Sequence, residues 1–481
     1  MKLLFLGLVL TLTLSIASYA QTTVGGPYFS NITWNISGSP YTLTSDVQLP
    51  EGVVLTIEPD VIVNFSGDFE ILVQGIIIAN GNNTSPIIFN GDNGTNDHSM
   101  INFDDNNNLS ASLISYIIFF GTQSAIKLDG ENSVSDTLHV LNSTFNNASI
   151  YNYGYDSRIF EISNSSFTDS DIRKDGREIK VFNSDFENGT IYSNSNSNFY
   201  IENCNINNSL IHLDYNNSKV EIVESNLQNI EVFDYGNAIY STLFILRNSH
   251  INGIQLALDY NSVVEMYNSR IEFDIINPFV FETGVIECCE IAGNNEGTAL
   301  KINKDLQLNN STISDCSIGI EITDMVNTSI TIDSCNFYNY NLFAIKNYSD
   351  QVVTANNNWW NRLDSTSIAN IIYDYYNNIN SGIVNFSNYL ITPDTHCVDN
   401  PTLYEIVETA KNTIILYPNP STGIINIDGR TILQVEIYNT SGVLIKSTTN
   451  NKIDISKQAK GVYLVKIVTK KGTITKKIII E

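Results

Sequence analysis

The chain has 481 residues, of which 42% are hydrophobic and 10% aromatic, and a formal net charge of −26. That length calls for more than one domain, and that apolar content excludes a globally disordered chain. A protein so acidic repels nucleic acid and anionic membranes, which excludes a DNA- or RNA-binding role.

The N-terminus comes first. Lys2 supplies a positive start, Leu3 to Ile16 an apolar run, and Ser18-Tyr19-Ala20 a small-x-small cleavage site. Residues 1–20 therefore read as a secretory signal peptide, with the mature chain starting near Gln21. The run falls short of the roughly 20 apolar residues of a membrane span, and no later stretch reaches that length, so the mature protein is expected to lack a transmembrane segment. Export permits disulfides. The six cysteines, at 204, 288, 289, 316, 335 and 397, do not reveal their pairing by spacing.

Short β-like runs begin early, among them Leu55-Thr56-Ile57, Val61-Ile62-Val63, Ile71-Leu72-Val73, Ile87-Ile88-Phe89, Ile117-Ile118-Phe119 and Ala125-Ile126-Lys127. From about residue 138 they acquire a strict repeat. Its centre is Asn-Ser or a near relative, at Asn142, Asn164, Asn183, Asn203, Glu224, Asn248, Asn268, Cys288, Asn310, Ser334 and Asn357, with a mean spacing of 21.5 residues. Three places on stand Phe145, Phe167, Phe186, Ile206, Leu227, Ile251, Ile271, Ile291, Ile313, Phe337 and Trp360; two places before, Val140 through Met266 to Ile332 and Ala355. One place on is nearly always Ser or Cys, which gives Cys204, Cys289 and Cys335 a place in a small buried column without any disulfide. Apolar residues two apart in short runs mean strands with one buried face. A strand every ~22 residues with no helix between copies predicts a parallel β-helix, in which like residues stack at ~4.8 Å. If residues 41–392 all belong, roughly sixteen coils would make a rod about 75 Å long. Asn at the centre suits a strand-to-turn corner, because it tolerates a left-handed backbone.

With the repeat in place, a resemblance appears. The stretch GSPYTLTSDVQLPEGVVLTIEPDVIVNF from Gly38 resembles the opening segment of exported bacterial pectin-lyase-like β-helix proteins, and ANNNWWN from Ala355, with Tyr389-Leu390 and Pro393, resembles their closing coil. That group usually has Gly after the two Trp, where this chain has Asn361. The resemblance spans about residues 30–395 and implies a right-handed parallel β-helix. It implies no particular activity, since the fold hosts lyases, hydrolases, epimerases and adhesins alike.

The tail differs in charge: residues 402–481 hold eleven Lys/Arg against six Asp/Glu, +5 on a body of −31. That contrast predicts a second module with partners of its own. Alternation in Ile424–Ile427, Val435–Tyr438 and Val462–Ile467, with turns at Thr440-Ser441-Gly442 and Lys471-Gly472, reads as a small antiparallel domain. Tyr417-Pro418-Asn419-Pro420-Ser421 with Gly423, then Tyr438-Asn439, Ile453-Asp454-Ile455-Ser456, Gly461-Val462-Tyr463 and Lys476-Lys477, resembles the type A C-terminal sorting domain of type IX secretion in Bacteroidota. The resemblance implies the type IX machinery as partner, delivery to the medium or the outer-membrane surface, and in many relatives attachment to lipopolysaccharide. The expected fold class is all-β: a β-helix over residues 21–400, a linker over 401–412 and a small β-sandwich sorting domain over 413–481.

The candidate site lies on three adjacent coils. Arg247, Tyr267 and Glu287 stand one place before the centre, and His250, Arg270 and Glu290 two places after it. Read as function, these six form a glycan-contacting or catalytic patch, with Arg or His as base and Tyr as stacking platform. Read as structure, they form a charge-balanced ladder in which Glu290 satisfies Arg270, and this reading is preferred because ion-pair networks look the same. The Asn-Thr-Asp and Gly-His-Gly motifs of the polygalacturonase branch are absent. None of the five His, at 98, 139, 212, 250 and 396, has metal-ligand spacing, so no catalytic metal or cofactor is expected. A structural Ca²⁺ in the turn Asp104–Asn108 is the exception. The expectation is a non-catalytic cell-surface or secreted protein that is glycan-contacting or adhesive, with surface lipopolysaccharide or polysaccharide as partner; the alternative is a polysaccharide lyase or related carbohydrate-active enzyme such as a glycoside hydrolase.

Overall fold

The computed structural model describes residues 21–481 apart from 92–98, 104–108, 122–123, 130–135, 153–158, 176, 195, 215–216, 235–241, 259–261, 274–278, 294, 329, 398–414, 418–420, 429–431, 440–443, 470–471 and 481. The expected signal peptide, the linker, the turn Asp104–Asn108 and Pro418-Asn419-Pro420 lie outside the described residues. The chain divides near residue 403 into two compact units.

The first unit is a parallel β-solenoid whose strands form three faces. On the first face sixteen strands stack in parallel, from Ile32–Trp34 through Thr137–Leu141, Ile159–Ser163 and Glu178–Phe182 to Val384–Asn385. The second face carries the short strands that follow each repeat centre, such as Thr144–Asn146, Ser166–Thr168 and Asp185–Glu187. The third carries Ser149–Asn152, Ile172–Asp175, Thr190–Asn194 and Leu210–Asp214.

Alternation along each strand sends every second residue inward. The residues two before and three after each centre are all buried, from Val140 and Phe145 to Ala355 and Trp360. Rings of Phe119, Phe145, Phe167 and Phe186 stack with centroids 4.5–4.9 Å apart. Such pairs add about 0.5–1.5 kcal/mol each to the burial of their area.

All eleven centres are left-handed, with φ between +48° and +55°. Asn adopts this backbone at the least cost after Gly, which explains why it recurs there. A second left-handed corner follows five residues later, at Asn147, Asp169, Asn188, Asn208, Asn229, Gly253, Asp315 and Asn339. The sequence reading missed that corner. Asn361, which follows the two Trp, is also left-handed, at φ +52°.

The small residue after each first corner has a specific task. Its backbone N–H cannot join a regular ladder at the bend and donates to the side chain one coil on. Ser143 N donates to Ser165 Oγ at 3.1 Å, Ser225 N to Ser249 Oγ at 3.0 Å and Ser249 N to Ser269 Oγ at 3.2 Å. Each hydroxyl then donates to the carbonyl two residues back, as Ser225 Oγ does to Val223 O at 2.7 Å. Thiols take the same place: Ser184 N donates to Cys204 Sγ at 3.4 Å, and the Sγ of Cys204 and Cys289 donate to Glu202 O at 3.3 Å and Glu287 O at 3.4 Å, while Cys289 N donates to Ser311 Oγ at 3.0 Å. A buried thread thus satisfies N–H groups that would otherwise each cost about 1–3 kcal/mol. Burial pushes the thiols of Cys204, Cys289 and Cys335 up to about 12. These three cysteines are free, as is the buried Cys316, whereas Cys288 is bonded to Cys397.

The strands of the second unit pair antiparallel, with one isolated parallel bridge between Ser421 and Ile480 among the described residues. One sheet holds Ile415–Tyr417, Ile424–Asp428 and Lys452–Asp454; the other holds Leu444–Thr448, Ile432–Asn439, Gly461–Thr469 and Gly472–Ile480. Ile425, Ile427, Ile437, Ile453, Val465, Ile467 and Ile478 make one core, a small sandwich.

Candidate functional site

The six candidate residues sort onto two faces on either side of the left-handed corner. Arg247, Tyr267 and Glu287 stack on the first face, where Arg247 pairs in register with Tyr267 and Tyr267 with Glu287. His250, Arg270 and Glu290 stack in the same way on the second. They form two columns and do not converge on a single point.

Each cation meets carboxylates close at hand. Arg247 Nε lies 3.0 Å from Glu221 Oε1, its Nη2 3.9 Å from Glu265 Oε2, and its guanidinium carbon 4.4 Å from the centre of the Tyr267 ring. Arg270 Nε lies 2.9 Å from Glu272 Oε1 and its Nη1 3.0 Å from Glu290 Oε2. His250 Nε2 is 3.6 Å from the same Glu272 Oε1. Glu221, Glu265 and Glu272, absent from the six, complete the neutralisation.

The electrostatics follow. Partial burial would lower the pKa of Arg270, but Glu290 and Glu272 outweigh it and hold the guanidinium above its ordinary value. Burial would raise Glu221, yet the hydrogen bonds from Lys219 and Arg247 win and keep its carboxyl below the usual range. Burial and then the Glu265 charge raise the Tyr267 phenol. An arginine clamped between carboxylates and a phenol raised above its usual value are poorly suited to act as bases near neutral pH. Among the described residues, no group of three or more His, Cys, Asp or Glu is placed to hold a metal ion.

Two features escaped the sequence reading. Nine residues after each of the first five centres, Asn142 to Glu224, stand Tyr151, Arg173, Tyr192, His212 and Phe233 in register on the third face. The Arg173 guanidinium lies 4.5 Å from the Tyr192 ring centre, and His212 is held between Tyr192 and Phe233, 4.1 Å from each. The fixed offset of nine is the signal that would have found them. The other feature is a cleft of about 820 Å³ near the closing coils, whose lining includes Lys301, Glu321, Asp324, Asn327, Tyr348, Asp350 and Asn380.

In the second unit Gly423 has φ +104°, and a Cβ there would meet the backbone of Ser456, so the motif glycine permits a close crossing. Gly461 has φ +150°. Tyr463 is buried and donates its hydroxyl to Ala459 O at 2.6 Å. Tyr417 ends the strand Ile415–Tyr417.

The comparisons with known proteins fit this division. Residues 415–481 match the family described as "Secretion system C-terminal sorting domain". Over 90 residues, 18% of this chain, the protein is 31% identical to beta-agarase D of Zobellia galactanivorans. The match covers 19% of that enzyme, so the chain spans about a fifth of the length of this curated relative. The fold and tail together define an exported parallel β-solenoid protein. Its tail is the sorting domain of type IX secretion, and the protein is secreted or attached to the cell surface.

Proposed function

We propose that this protein is a non-catalytic, glycan-contacting β-helix protein that the type IX machinery delivers after a signal peptide at residues 1–20 is removed. The observation that carries this reading is the neutralisation of Arg247 and Arg270 by nearby carboxylates, which leaves the densest polar patch without a poised base. Similarity to an agarase supports contact with polysaccharide and keeps a carbohydrate-active enzyme as the second reading. The pectin-lyase-like relationship and attachment to lipopolysaccharide belong to the same proposal. Neutral and acidic polysaccharides, assayed for retention of the protein, for new reducing ends and for ultraviolet-absorbing unsaturated products, test it. Retention without product is the expected result. Product release that disappears in Arg270→Ala would establish the enzymatic reading instead.

A further inference from the structure

The geometry points to the cleft near the closing coils as the binding site for a neutral, hydroxyl-rich glycan chain. This inference rests on the glycan-contacting reading and gives it a place and a ligand class. One wall carries Lys301 and Glu321, which pair in register on the outward column of the third face; Lys346 and Tyr373 continue that column beyond the lining residues. The other side is built from residues around 323–327, 348–351 and 378–380.

Aromatic surface gathers here. Tyr348 and Tyr373 lie 5.5 Å apart between ring centres, and Phe343 lies 5.9 Å from Tyr373. The Lys346 ammonium sits 5.2 Å from the Phe343 ring, 5.7 Å from Tyr348 and 6.0 Å from Tyr373, and donates to the Tyr348 hydroxyl at 3.3 Å. That contact fixes the Tyr348 ring while leaving the residue 38% exposed. Among the described residues, eight of the fifteen large hydrophobics that are exposed fall between 342 and 383, Tyr375 and Tyr376 among them. Of these eight, Tyr348 lines the cleft, where its ring sets apolar surface beside the polar groups.

The polar lining decides the ligand class. Asp324, Asn327 and Asn380 present carboxylate and amide groups with no side-chain hydrogen bond to another described residue, ready to meet hydroxyls. Tyrosine adds an apolar ring with a polar tip, a suitable wall for the C–H face of a sugar. The volume lies within the ~300–1,000 Å³ of small-ligand sites. Lys301 is offset by Glu321 at 3.6 Å, and Asp324 and Asp350 leave the lining at net −2. Such a cleft disfavours uronates and sulfated sugars.

The test is affinity electrophoresis of the full protein in gels containing a neutral galactan, β-glucan or mannan, against alginate and a sulfated galactan. The expected result is retardation by a neutral glycan and none by the acidic pair. Tyr348→Ala and Asn327→Ala each weaken retardation at least tenfold, and Tyr348→Trp retains it. The double variant Asp324→Lys, Asp350→Lys gains retardation by the acidic glycans. Retardation unchanged in both Tyr348→Ala and Asn327→Ala would overturn the cleft while leaving the glycan reading intact. Binding of acidic glycans by the unmodified protein would overturn the ligand class. Failure of every glycan to retard the protein would overturn the glycan reading itself.

Discussion

The coils around Arg247 and Arg270 and the coils that close the solenoid differ in how far their outward polar groups are matched by neighbouring rungs. In the middle of the body each outward residue stands over its counterpart one rung away, so an arginine in one coil is met by glutamates in its own and neighbouring coils. Near the closing coils the strict repeat gives way to a short helix, Ser365–Ala369, and to the turns around Asp374 to Ser381, and side chains there face a cleft. Strict stacking lets a surface satisfy itself. The cleft proposed above lies where stacking is interrupted, with Asp324, Asn327 and Asn380 in turns and loops outside the regular rungs.

Damage to the interior of the regular body should produce the largest effect. Phe167→Ala removes a ring stacked on both sides and should cost about 3–5 kcal/mol in denaturant unfolding. A cost below about 1 kcal/mol would show that the stack is not a packed core. Next comes the Cys288–Cys397 bond, which ties the segment after the closing coil to a regular coil and spans 109 residues. Cys288→Ser should lose about 2–5 kcal/mol by calorimetric melting, and reductant should reproduce the loss in the unmodified protein. Glu224, left-handed at φ +49°, stands where most coils have Asn. Glu224→Asn should stabilise by about 1 kcal/mol, and Asn248→Ala should destabilise by a similar amount. Arg270 is 43% exposed and its ion pairs face solvent, so Arg270→Ala should cost under about 1 kcal/mol and leave glycan retention unchanged. The smallest effect is in acid. Because the folded pKa of Glu221 is lowered, its contribution is present above the ordinary glutamate pKa near 4.3 and is lost as pH falls through the folded value. The stability gap between the unmodified protein and Glu221→Gln should therefore narrow below about pH 4.

The parts of the fold that depend on strict spacing were legible in the sequence. Every residue three places after a centre proved to be buried, and every centre left-handed, because a solenoid repeats both the side chain and the backbone angle that its corner needs. The second corner was harder to see, since Asn, Asp and Gly share it and no single letter recurs. The third face was hidden by a different cause: its outward column mixes Tyr, Arg, His and Phe, which share a position but not a composition. The candidate patch was legible as two columns but not as two faces, because a centre that turns the chain sends residues one before and two after it in different directions. The cleft could not be read at all. Apart from Lys301 and Glu321, which share a register, it joins residues around 323–327, 348–351 and 378–380 that share neither a spacing nor a motif.

The serine thread has a consequence for oxidation during export. Along it, Cys204 is separated from Cys289 by Ser225, Ser249 and Ser269, and Cys289 from Cys335 by Ser311. Thiols on neighbouring rungs would stand ~4.8 Å apart, within cross-linking reach, whereas two rungs put them at ~9.6 Å, beyond it. An interposed hydroxyl therefore works as a spacer, so the maturing chain can meet an oxidising medium without sealing two of its own windings together.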